Sequence, residues 1–137
     1  MGLLGLALVE RDIGYVTYDG DMSPRQRETA LEKVRSDEEC SVLLMSIMAG
    51  GAGLNITSCN HVILMEPWWN PFVESQACDR VYRIGQAKPV FVYLMIVEDS
   101  IEQVIVETQE EKRKNVKSVM GLCPVLGDGN KVSCRLY

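Results

Sequence analysis

Residues 41–48, "SVLLMSIM", form an apolar run without the polar alternation of a half-solvated strand. A run of that kind predicts a strand covered on both faces. "HVILMEP" (61–67) and "PVFVYLMIV" (89–97) read the same way, and "IGYVTYDG" (13–20) reads as a strand entering a turn at Asp19-Gly20. Helical segments separate them. "SPRQRETALEKVRS" (23–36) opens with Ser23 as N-cap, Pro24 at the first helical position and Gln26 completing a capping box. Asn70-Pro71 caps a second helix, which is expected to carry "QACDRVYRIGQ" (76–86) as far as Gly85. "SIEQVIVETQEEKRKNVKSVMG" (100–121) is a long helix with a Ser100–Gln103 capping box and Gly121 as its stop. Apolar strands alternating with helices predict an α/β fold, a parallel sheet with helices on both faces.

In such sheets ligands bind at the loops beyond the carboxyl ends of the strands. That rule singles out Asp19-Gly20, the glycine loop after Ile47, and Trp68-Trp69-Asn70. The loop "AGGAGLN" (49–55) has Gly50, Gly51 and Gly53, which leave a backbone open to a phosphate or sugar. No Lys-Ser or Lys-Thr follows, so it is not a Walker A loop. From the residues alone, phosphate approach and close strand packing account for it equally well. Arg80 and Arg83 fall one helical turn apart, with Gln76 one turn earlier, so both guanidinium groups can face one ligand. The plainer account is a solvated helix with Glu74 and Asp79 as ion-pair partners, worth little. In "EPWWNP" (66–71), Trp68 is assigned to the core, while Trp69 stays open between packing and a nucleic-acid groove. "DEEC" (37–40) trails a helix instead of ending a buried strand, so it is read as a polar connector.

At 137 residues the chain is long enough for a real core, and a net charge of −5 excludes coating nucleic acid by bulk charge. It leaves a local phosphate site open, because binding depends on where the few cations sit. Five cysteines without CxxC spacing and a lone His61 predict reduced thiols and no metal site. "MGLLGLALVERD" lacks the basic flank of a signal peptide, and no apolar run reaches the ~18 residues of a membrane span. No membrane partner is expected.

Taken together, "YDGDMSPRQR", "LMSIMAGGAGLNIT", "EPWWNP" and "QACDRVYRIGQAKPVFVYLMI" resemble the second RecA-like lobe of the SWI/SNF-type ATPases, DNA-dependent translocases of helicase superfamily two. The "PWWNP" form is most similar to the branch containing the helicase-like transcription factor. The likeness covers roughly residues 3 to 120, with the motifs in the family's order. It implies that Arg80 and Arg83 are catalytic arginines reaching ATP phosphates, and that Gln76, Gly53 and Asn55 contact the nucleotide. It further implies that Asp19, Gly20, Ser23, Ser46, Gly50, Gly51 and Trp69 lie along the DNA. The implied ligands are ATP with Mg2+, bound mainly by a first lobe outside these residues. The implied partners are double-stranded DNA, that N-terminal RecA-like lobe in cis, and chromatin or repair proteins, in the nucleus.

Two positions depart from the family pattern: Met48 stands where Lys or Arg is common, and Tyr82 where His is usual. No Walker A lysine, DExH acid or first strand of the lobe is found, so the chain is expected to be a piece cut inside its second lobe. Residues 1–121 are then a partial lobe with a bracing helix at about 100–120, and 122–137 form a tail with no role assigned. Alone, it is not expected to hydrolyse ATP. The alternative reading is a truncated, non-catalytic DNA- or protein-binding module; the "WWNP" and "RIGQ" forms argue against an RNA-helicase lobe.

Overall fold

The computed structural model describes residues 2–49 and 54–120, with side chains as far as 116. Its elements are α1 (Gly2–Glu10), β1 (Gly14–Tyr18), α2 (Pro24–Ser36), β2 (Cys40–Met45), β3 (His61–Leu64), α3 (Pro71–Cys78), β4 (Phe91–Leu94) and α4 (Ile101–Met120). They fall into two compact units, Met1–Ser58 and Cys59–Tyr137. Gly50, Gly51, Gly53, the Gly121 stop and the 122–137 tail lie outside the described residues.

In the first unit β1 and β2 run parallel, with Tyr15 beside Val42 and Tyr18 beside Met45. Parallel neighbours need a crossover, and α2 supplies it, packing on both strands. Ala30 of α2 meets Tyr18 and Ala49 in a small core, around which Val16, Met22, Leu31, Leu43, Met45 and Leu54 close. The expected capping box is present: Gln26 N–H donates to Ser23 Oγ at 3.3 Å and Ser23 N–H to Gln26 Oε1 at 2.8 Å. Asp37 caps the other end, and its carboxylate accepts from Glu39 N–H at 3.0 Å, so "DEEC" is a turn into β2. Helix α1 has no counterpart in the sequence reading, because its apolar residues show no helical stripe. Leu3, Leu6 and Val9 stay exposed, and the helix meets β1 where Gly5 lies against the Tyr15 hydroxyl. It ends on Asp12 in the left-handed region (φ 55°), with Ile13 N–H donating to Leu8 C=O at 2.9 Å.

The second unit is built on β3 and β4, also parallel, pairing His61 with Phe91 and Leu64 with Leu94. His61 stacks on Phe91 and Tyr93 across this ladder, and Tyr93 Oη lies 3.3 Å from its Nδ1. Helix α3 sits in the crossover. Asn70 Oδ1 accepts from Phe72 N–H at 3.1 Å and buried Pro71 occupies the first turn, as the Asn-Pro pair predicts. Asn70→Ala should therefore cost about 1 kcal/mol of thermal stability. An unchanged melting temperature would contradict the cap.

The α/β expectation holds, with one parallel strand pair in each unit. One expectation is corrected: the strands are not covered on both faces, since β3 alternates, with Ile63 58% exposed while Val62 and Leu64 are half-buried. Apolar runs report a tendency to bury, whereas the cover a strand receives is set by elements distant in sequence. At α4, Ser100 Oγ accepts from Glu102 N–H at 3.2 Å and the Glu102 carboxylate reaches Val97 N–H at 2.7 Å, so Glu102 takes the part expected of Gln103.

Candidate nucleotide and nucleic-acid site

The turn after β1 is made by its own side chains. Asp19 Oδ1 accepts from Asp21 N–H at 3.1 Å and from Met22 N–H at 3.2 Å, which folds the chain back toward the Ser23 cap. The Asp19 and Ser23 side chains are therefore engaged by local backbone, and Gly20 and Ser23 are left exposed. Arg27, which the sequence reading passed over, braces this turn. Its Nη2 donates to Gly20 C=O at 2.8 Å, and its guanidinium lies 5.6 Å from the Tyr18 ring centroid. Beside the turn runs an open groove of about 530 Å3 whose wall includes Thr17, Met22, Ser23, Arg25 and Lys33. Arg25 and Lys33 are exposed there and offer the positive charge that Asp19 cannot.

Ser46 directly follows β2 on the same side as this turn, donating its N–H to Tyr18 C=O at 3.1 Å while its C=O accepts from Ala49 N–H at 3.0 Å. The glycine loop leaves the core at buried Ala49 and returns at buried Ile56. Asn55 is exposed, and its carbonyl accepts from Arg35 Nη2 at 3.2 Å, which ties the end of the loop to the last turn of α2.

In the second unit Trp68 is half-buried, in keeping with a core role, and Trp69 is 59% exposed. Gln76 is exposed on α3. The arginines are not on one helical face, because α3 stops at Cys78. Asp79 caps the helix, and Val81 N–H and Tyr82 N–H then both donate to Cys78 C=O, at 3.0 and 2.9 Å. Arg83 N–H donates to Val81 C=O and Gln86 N–H to Arg83 C=O, before Gly85 turns the chain at φ +102°. A side chain at that φ is strained, which is why glycine stands there. Gln86 fixes the far end, its Nε2 reaching Cys59 C=O at 2.8 Å and Val81 C=O at 3.3 Å. The tight turns separate the arginines by environment: Arg80 is 6% exposed and Arg83 is exposed. One is an internal guanidinium and the other an outward one.

Among the described residues no three His, Cys, Asp or Glu side chains converge as metal ligands, and no helix is long and apolar enough to cross a membrane.

Residues 3–85 match the family described as the helicase conserved C-terminal domain. The chain is 46% identical over 112 residues to the DNA repair protein rad8 of Schizosaccharomyces pombe, covering 82% of this chain and 10% of that protein. It is 42% identical over 121 residues to the helicase-like transcription factor CHR28 of Arabidopsis thaliana, covering 88% and 12%. The crystal structure of the C-terminal part of the Fun30 ATPase domain matches with a TM-score of 0.76 and 31% identity, over 79% of this chain and 35% of that one. The chain thus spans about a tenth of the length of the curated relatives it matches.

Proposed function

The chain belongs to the helicase conserved C-terminal domain family, on its SWI/SNF-type side, and from that premise we propose that it is the C-terminal lobe of an ATP-driven translocase of double-stranded DNA. The observation that carries this reading is the Cys78–Gln86 segment, which holds Arg80 inside and turns Arg83 outward on a frame of backbone hydrogen bonds.

Transfer of a phosphoryl group spreads negative charge over oxygens in the transition state, and a fixed guanidinium stabilises that charge without reorganising. Arg83 meets the phosphates of ATP, and Arg80 sets the base from which it reaches them. ATP and its magnesium are held mainly by the N-terminal RecA-like lobe, with Gln76, Gly53 and Asn55 contributing from this side. Duplex DNA runs over the Asp19–Ser23 turn, Ser46, Gly50, Gly51 and Trp69. The work is nuclear, in repair or chromatin remodelling alongside proteins of those processes.

The turn between β1 and α2 has an exposed cation at Arg25, next to the capped N-terminus of α2. In this chain joined to a first lobe, Arg25→Ala should weaken duplex binding equally across sequences and lower the salt slope of log Kd by about one. A slope identical to the parent protein's removes this turn from the DNA path.

A further inference from the structure

Glu74 stands on α3 and is 4% exposed, yet it is not closed off within its own helix. Its Oε1 accepts from Trp68 N–H at 2.8 Å and from Gln109 Nε2 at 2.7 Å. Gln109, 2% exposed, also donates to Trp68 C=O, so Glu74, Gln109 and the Trp68 backbone form a closed ring. Glu74 Oε2 takes Arg113 Nη2 at 3.4 Å, and Lys112 Nζ donates to Trp69 C=O at 3.1 Å. Gln109, Lys112 and Arg113 are spaced i, i+3 and i+4, so one face of α4 grips the tryptophan turn and α3 together.

Burying a carboxylate costs several kcal/mol in lost hydration, and an apolar side chain of similar size often holds a fold as well. Here the oxygens do what an apolar group cannot, which is to bind two elements at defined points. From Pro71 to Ile84 the chain has no glycine, so no permissive hinge separates Glu74 from the arginines that follow it. We propose that Glu74 is a positioning residue: it locks α4 to the Trp68–Asn70 turn and thereby sets the frame in which Arg80 and Arg83 are presented. The catalytic part of this inference rests on the reading of those arginines as phosphate ligands.

The chain has two tryptophans, Trp68 and Trp69, so tryptophan emission, excited selectively over the five tyrosines, reports on this turn. Glu74→Ala and Gln109→Ala should each shift that emission in the 137-residue chain. In the chain joined to a first lobe, each should lower kcat by about 10²-fold, the cost of a small misplacement acting at a distance, with KM for ATP unchanged. Glu74→Gln keeps an oxygen for Trp68 N–H and Gln109, so it should restore both emission and kcat. Parental emission and kcat in both alanine variants would overturn the proposal, as would Glu74→Gln failing as badly as Glu74→Ala. If Glu74→Ala does not fold, Gln109→Ala tests the same link from the α4 side. Normal turnover in Arg83→Ala sinks the phosphate reading alone, because the emission shifts test the ring separately. A dead Arg83→Ala beside fully active Glu74→Ala and Gln109→Ala sinks the positioning role alone.

Discussion

In this chain joined to a first lobe, Arg83→Ala lowers ATP turnover by about 10³–10⁵-fold while lowering the melting temperature only slightly. The size follows from the role: a guanidinium that meets charge developing on the phosphates acts in the transition state far more than on bound ATP, so kcat falls and KM hardly moves. The small stability change follows from the site. Arg83 is exposed, and an exposed polar contact is worth no more than about 1 kcal/mol. Arg80→Ala separates the two effects. Arg80 is 6% exposed, so its loss should cost about 1–3 kcal/mol of stability as well as activity. Equal melting losses in the two variants would contradict the inside-and-outside division of the pair.

Gly14→Ala is the substitution expected to damage the first unit most. A Cβ at Gly14 would lie 1.9 Å from the Glu39 carbonyl oxygen and 2.8 Å from its carbon, both backbone atoms that cannot rotate away. Gly14 also sits at the register irregularity that begins the β1–β2 ladder. The new methyl group must push the strands apart or shift their pairing, and a one-residue slip would turn every side chain of β1 to the wrong face. The expected cost is about 1–3 kcal/mol or more, seen as a lower urea midpoint. Gly20→Ala is the matched control, because nothing lies within 4 Å of its added Cβ. Equal midpoints for the two variants would show that the close approach at Gly14 is relieved cheaply.

What could be read in advance was local. The Ser23–Gln26 box and the Asn70-Pro71 start each depend on residues within a few positions, and each is present. The α/β character was equally legible, because apolar runs and capped helices alternate along the chain. What escaped was decided at long range. Nothing between Pro71 and Ile84 signals a helix end, yet α3 stops at Cys78, and the turns after it are held by Gln86 reaching back to Cys59. Glu74 looked like a surface acid because its partners Gln109 and Arg113 stand far along the chain in a helix that reads as solvated. Arg27 was passed over because bracing a turn leaves no mark in spacing. The motif order carried the functional reading, while the turns after α3 gave the two arginines their separate environments.

The most direct test of the central claim is ATP turnover, with and without duplex DNA, by three samples: this chain, a first lobe carrying the phosphate-loop lysine and the DExH acid, and the two joined. Hydrolysis by the joined protein alone, raised by duplex DNA, is the expected result. Turnover by this chain by itself, or a joined protein indifferent to duplex DNA, would contradict the assignment.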